Sequence, residues 1–291
     1  MSMSVSAAEV AGGMVWWVMR GRILQWSALA LLVPVLGWGA DATTNWLDIE
    51  SRIQYGYYTE DLHSLRNLTE ALAANPSHEG LKSYYQGLLE YRLTLLLQAQ
   101  IDKAAREAGQ SSSAPHRNDR SENEPRQRVE RCVKDLDQAQ EAQSNFADAL
   151  ALQSACLALL ADLSAWRAPL ASPKSVSEIH KALQWGPKNP RVLLLDAIGE
   201  YQRSRTPANT VPGDAGQVCG KFKVATAVFE DERASVDKVP GWGGAEAYTW
   251  LGRCYLDAED AVKARDALER ALLIAPEFAE AHRLLAAITS G

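Results

Sequence analysis

The 291-residue sequence is poor in the residues that build catalytic and metal centres. Its four cysteines, Cys132, Cys156, Cys219 and Cys254, never form a C-x-x-C, so redox catalysis and a thiolate zinc site lack their usual spacing. The five histidines, His63, His78, His116, His180 and His282, are scattered, with no H-E-x-x-H on one helical face. No G-x-S-x-G occurs. Gly241–Gly244 holds three glycines ahead of a predicted helix, but without the Lys-Ser or Lys-Thr that cradles a phosphate. No catalytic residue, cofactor or metal is therefore expected. Positive charge is also short, with 30 Lys and Arg against 36 Asp and Glu and a formal net charge of −6. The one basic stretch, Arg117–Arg128, is broken by acids. Nucleic-acid binding needs clustered cations, so that role is excluded.

Long apolar runs are scarce as well. The strongest, Ile23–Leu36, is interrupted by Gln25 and Ser27 and is shorter than the roughly 20 residues that span a bilayer core. Extending it back through Val15–Val18 would carry Arg20 and Arg22 into the membrane, which is costly. The order Met19-Arg20-Gly21-Arg22, apolar run, Pro34 and Ala40-Asp41-Ala42 is that of a secretory signal peptide with its small-residue cleavage site. Read from Met19, or from Met14, that signal leaves the preceding residues as an extension. Cleavage after Ala42 is expected, with an uncleaved membrane anchor as the rival. No cysteine near the cleavage region offers a site for lipid.

The C-terminal part carries the clearest pattern. Tyr248, two residues, Leu251-Gly252, two residues and Tyr255 make one amphipathic segment; Ala264, Leu268, Ala271 and Pro276 mark the next. The order matches W-x₂-L-G-x₂-Y…A-x₃-F…P, with Tyr248 for the Trp and Leu268 for the Phe, and so resembles a tetratricopeptide repeat. Small Gly252 and Ala264 let two helices approach closely; Leu251, Tyr255 and Leu268 fill the space between them; Pro276 ends the second helix. The resemblance implies an all-α, right-handed superhelix of helix pairs.

The spacings recur upstream. Tyr55, Ser64, Leu68, Ala71 and Pro76 repeat the distances of Tyr255, Ala264, Leu268, Ala271 and Pro276, defining a first unit at about Asn45–Pro76. A second opens with an apolar helix from about Glu79 to Ala105 and resumes at about Gln127, where Cys132, Leu136, Ala139 and Ser144 take the template spacings. Gly109–Arg126 between them is serine- and proline-bearing without apolar periodicity, and is expected to be a flexible insertion. The third unit begins QSNFADAL at Gln143–Leu150, echoing APEFAEAH at Ala275–His282, which equates Phe146 with Phe278. A loop at Trp166–Pro173 and a helix at Val176–Trp185 follow. The fourth runs through Val192–Arg203, a long loop at Ser204–Gly220 and a helix at Lys221–Ala234. The run NPRVLLLDA at Asn189–Ala197, the glycine-bearing loop and Trp242-Gly243 resemble a subset of exported bacterial repeat proteins. Phe278–Thr289 is a last helix that caps the stack.

The cysteines admit two readings. Each is a small buried helix residue, or Cys132 pairs with Cys156 and Cys219 with Cys254, each bridge joining neighbouring units in an oxidising compartment. Stacked helix pairs generally present a concave binding face. By register, Trp46, Tyr57, Tyr91, Asp148, Arg191, Tyr201, Glu246 and Arg253 are the candidates for it. The functional expectation is a non-catalytic protein-interaction scaffold of the bacterial envelope, periplasmic or secreted, binding an extended segment of another protein. It touches membrane only through the N-terminal segment if that stays uncleaved. The alternatives are a ligand-binding accessory of an envelope transport or assembly system, and a degenerate enzyme with the two long loops as lids.

Overall fold

A computed structural model describes residues 45–74, 80–110, 119–205, 215–233 and 239–289. The described residues fall within one compact unit, Thr44–Gly291; the export segment expected from the sequence lies outside the described residues, as do Pro76, the centre of the insertion and most of the loop after Ser204.

Eleven α-helices run through the described residues, with no strand among them: α1 Trp46–Tyr58, α2 Leu62–Ala74, α3 Gly80–Gln110, α4 Asp119–Ala142, α5 Ala147–Leu163, α6 Ala168–Trp185, α7 Pro190–Ser204, α8 Ala215–Glu232, α9 Gly244–Asp257, α10 Ala261–Ile274 and α11 Ala279–Thr289. They pack as consecutive pairs from α1/α2 to α9/α10, with α11 against α10 and α9. The pairs stack through α4 on α5, α5 on α7, and α8 on α9. The architecture is an all-α solenoid of five helix pairs and a terminal helix.

Small residues set the closest crossings. A Cβ added at Gly252 would lie 2.7 Å from Leu268 Cγ, and one at Gly87 would lie 2.6 Å from Leu136 Cγ. Leu268 and Leu136 hold equivalent positions in the two second helices, so the expected Gly–Leu contact is a feature of both pairs. Ala264, Leu268 and Ala271 are fully buried, and Leu251 and Tyr248 nearly so. Phe146 packs on Tyr84, with ring centroids 4.8 Å apart, and Phe278 packs on Tyr58 at 4.5 Å, so the two equated phenylalanines each fix the entry to a helix.

The register of the first pair is one residue off the template. Glu60 and Glu259 both have positive φ, 58° and 59°, and each precedes an aspartate whose carboxylate accepts from a first-turn N–H: Asp61 from Ser64 at 2.9 Å, Asp260 from Lys263 at 3.1 Å. Asp61 N donates to Gly56 O at 2.8 Å as Asp260 N donates to Tyr255 O at 2.9 Å. The turns are thus the same device, and Gly56, rather than Tyr55, corresponds to Tyr255. Leu65, Leu68 and Leu72 face the core, Ser64 and Ala71 face solvent, and Tyr55 is 59% exposed. The larger leucines decide which face is buried. Tyr255 itself is half-buried, with Lys223 and Lys263 nitrogens 5.7 and 5.8 Å from its ring, and Cys254 points inward in its place.

Three helices start earlier than the sequence suggested. α4 begins at Asp119, inside the expected insertion: Glu124 pairs with Arg128 one turn on at 3.2 Å and with Arg66 of α2 at 3.1 Å, which holds this polar turn in place. α6 begins at Ala168, inside the expected loop. Pro169 sits in its first turn, where no N–H is needed, and Ser164 O accepts from Arg167 N and Ala168 N at 2.9 and 3.1 Å. α8 begins at Ala215, with Val218, Cys219 and Phe222 giving it a buried side. The four cysteines form two disulfides, Cys132–Cys156 between α4 and α5 and Cys219–Cys254 between α8 and α9.

Candidate functional site

The first helices of the pairs turn polar and aromatic side chains toward one another. On α3, Arg92 is 3% exposed and ion-pairs with Glu246 of α9, also 3% exposed; its guanidinium lies 4.1 Å from the Tyr57 ring of α1 and 4.8 Å from that of Trp242. Glu246 also accepts from the Tyr58 hydroxyl at 2.7 Å. Burial pulls the Arg92 pKa down, but Glu246 and the surrounding tyrosines outweigh it and hold the charge on. Burial and then the Glu246 charge push the Tyr58 hydroxyl well above its ordinary range, so it stays a donor.

A second cluster centres on Arg191 of α7, 1% exposed. Its Nε donates to Asp148 of α5, and its two terminal nitrogens bind Glu232 of α8 at 2.7 and 2.9 Å, while Asn189 donates to Asp148 at 2.6 Å. A third ties α1 to the turn before α9. The Glu50 carboxylate accepts from Tyr85 at 2.6 Å and from Gly241 N at 3.0 and 3.1 Å, and Trp242 Nε1 donates to Tyr84 at 2.7 Å. Burial raises the Glu50 pKa, and the hydrogen bonds from Tyr85 and Gly241 offset part of that rise.

The residues expected on a concave face differ in how open they are. Asp148, Arg191, Tyr91, Tyr201 and Glu246 are all buried: Asp148 and Arg191 pair with each other, Glu246 with Arg92 and Tyr58, and Tyr201 with Asp257. Tyr57 is half-buried beneath Arg92, Trp46 stacks on Tyr85 with centroids 5.5 Å apart, and Tyr201 donates to Asp257 and packs 5.5 Å from Trp250. Arg253, partly exposed, lies over Trp250 at 4.9 Å and pairs with Glu280 of α11. A helical register identifies residues on the inner side of each first helix; it carries no information on whether those sides meet.

The space left open lies at the seam where the first pair meets the last repeats. There α1 and α2 face the end of α8, the Gly241–Gly243 turn and the α10–α11 junction across a cavity of about 940 Å³. Phe229, Trp242, Ile274, Leu68 and Tyr58 supply apolar wall; Glu50, Asn67 and Ser64 supply hydrogen-bonding groups; Arg52, Arg233 and exposed Tyr55 also line it. Gln54, on the same wall, has an amide whose nitrogen and oxygen are buried without a hydrogen-bond partner. Gly243, with φ of 112°, caps α9, and a Cβ there would lie 2.6 Å from Phe229, so only glycine admits this wall.

Glu50, Gln54 and Arg92 carry no site or repeat signature in the sequence, and Trp242 stands there only as part of a turn. A signal existed for two of them: Glu50 interrupts the apolar face of α1, and Arg92 sits within the apolar run Leu88–Leu97. Among the described residues no group of three or more His, Cys, Asp or Glu could hold a metal ion, and no helix is long and apolar enough to cross a membrane.

Comparison with solved structures returns helical proteins at low similarity. A chain of the APC/C hetero-tetramer Cut9–Hcn1 aligns at 12% identity and TM-score 0.40, over 83% of this chain and 42% of that one. The RpL4 assembly chaperone Acl4, residues 1–338, aligns at 13% and 0.33, over 84% and 96%. A tetratricopeptide repeat protein from Parabacteroides merdae aligns at 16% and 0.27, over 84% and 99%. The chain thus spans less than half the length of the Cut9–Hcn1 chain it matches. No curated protein matches the sequence. The family profile described as Tetratricopeptide repeat matches residues 220–288, the segment from α8 through α11 that forms one side of the seam.

Proposed function

We propose that this protein is a non-catalytic interaction module that holds a segment of another polypeptide in the seam cavity. The observation that carries the reading is the cavity itself. About 940 Å³ is at the upper end of the range for small-molecule sites and accommodates several residues of an extended segment. Its apolar wall is interspersed with hydrogen-bonding side chains, which suits main-chain groups as well as side chains. The match of residues 220–288 to a repeat that builds binding scaffolds supports the same reading.

Export across a bacterial inner membrane is part of the proposal. It is supported by the signal-like Met19–Ala42 segment and by two disulfides that use every cysteine in the chain. A small ligand of an envelope transport system is the second reading, favoured by the same volume.

A photocrosslinking residue at Tyr55, on the cavity wall, tests the proposal against one at Leu273, 82% exposed on α10. A polypeptide adduct at Tyr55 that is missing at Leu273 is expected from the envelope fraction. Equal labelling at both positions, or adducts only with cytosolic proteins, would contradict it.

A further inference from the structure

A second, smaller cavity of about 220 Å³ lies between α5, α6 and α7 and reaches α3 at its inner end. It is carved by small side chains, Ala155 and Ala158 on α5, Ser175 on α6 and Gly199 on α7, and walled by Leu159, Ile179, Leu195 and Ile198. Tyr91 forms the inner end. It is 5% exposed, its ring is 5.7 Å from the Arg92 guanidinium, and its hydroxyl has no hydrogen-bond partner among the described residues. At the mouth, Asp162 carries an exposed carboxylate that makes no ion pair among the described residues. The volume is below the usual range for a cofactor or drug-sized ligand and of the order of one large side chain.

We propose that this cavity anchors a tyrosine side chain of the partner polypeptide, its phenol hydrogen-bonded to Tyr91, with a basic residue beside it facing Asp162. The inference rests on the reading of the protein as a polypeptide-binding module and adds a second point of contact apart from the seam. Ring burial among the leucines and isoleucines supplies affinity. The paired phenols supply selectivity, because a phenylalanine in the same place leaves the Tyr91 hydroxyl unmet. The Asp162 carboxylate selects the neighbour by charge.

The test is a methyl NMR titration of the protein with acetyl-Tyr-Lys-amide, acetyl-Phe-Lys-amide and acetyl-Tyr-Glu-amide. Shifts confined to Leu159, Ile179, Leu195 and Ile198 are expected, with the first probe about tenfold tighter than the second, the discrimination expected of one hydrogen bond. Tyr91→Phe should abolish the preference for tyrosine over phenylalanine while both still bind. Asp162→Asn should abolish the preference for lysine over glutamate. Ala158→Phe, which fills the cavity from its wall, should stop binding without changing the thermal midpoint by more than a few degrees. Absence of shifts with all three probes, or a tyrosine preference that survives Tyr91→Phe, would overturn the inference. Adducts at Tyr55 with no probe binding would leave the module reading standing and remove only this anchor; probe binding without adducts would do the reverse.

Discussion

Gly252 shows how little room the repeat allows at its crossing. An added Cβ would meet Leu268 Cγ at 2.7 Å and Cδ2 at 2.9 Å, so Gly252→Ala must displace a fully buried leucine. Overpacking of this kind costs about 1–3 kcal/mol, and chemical denaturation should show a loss in that range; no loss would mean the helices do not cross there. Asp135 on α4 makes a second prediction at this scale. Burial, and then the nearby Glu90 charge, push its carboxyl up to about 6, against the weaker pull of Lys134 and Arg131. A carboxyl raised in the folded state favours the fold while protonated. Its contribution is therefore present below the ordinary aspartate range and lost as pH rises through about 6. Asp135→Asn should remove that loss, so the variant should gain stability relative to wild type between pH 4 and pH 7. A constant difference between the two melting profiles would refute the assignment.

At the scale of the element, much of the fold was legible and the boundaries less so. The Gly252–Leu268 spacing, the paired Phe146 and Phe278 and the terminal helix all follow from side-chain size at fixed intervals, and the structure uses each as expected. The one-residue slip in the first pair arose because Tyr55 and Tyr255 share a residue type but not a position: the αL glutamates at 60 and 259 fix the turn, and nothing in a Tyr-to-Tyr match reports on backbone angle. Prolines and polar residues give the starts of α4 and α6 the look of loop in the sequence, although Pro169 and the Glu124 ion pairs belong to a helix's first turns. The disulfides act between elements. Each links the second helix of one pair to the first helix of the next, closing chain separations of 24 and 35 residues. Replacing Cys132 and Cys156 together by Ala should cost about 2–4 kcal/mol in urea denaturation, and alkylation of the unreduced wild type should label no thiol. Labelling of all four cysteines in envelope-purified protein would contradict both bridges.

At the scale of the whole unit from Thr44 to Gly291, the repeats do not leave their inner face free. Contacts between residues far apart in the chain bind the first pair to the last: Tyr58 to Glu246, Glu50 to Gly241, and Arg283 to Glu60 at 2.5 Å. The buried members of these clusters are acids and arginines that helical periodicity marks as inward-facing but cannot pair, because pairing depends on how the stack curves. That is why the burial of Tyr91, Asp148, Arg191, Tyr201 and Glu246, and the seam cavity, are not legible in the sequence. Buried charges set at such a junction cost desolvation and are strongly destabilising when one partner is removed, about 3–5 kcal/mol, so they favour one closed arrangement over open ones. The double-mutant cycle Tyr58→Phe and Glu246→Gln, read by chemical denaturation, tests this most directly. Closure predicts a coupling energy of about 1–3 kcal/mol between these two residues, 188 apart in sequence. Additive effects within about 0.3 kcal/mol would mean that the ends of the array do not meet.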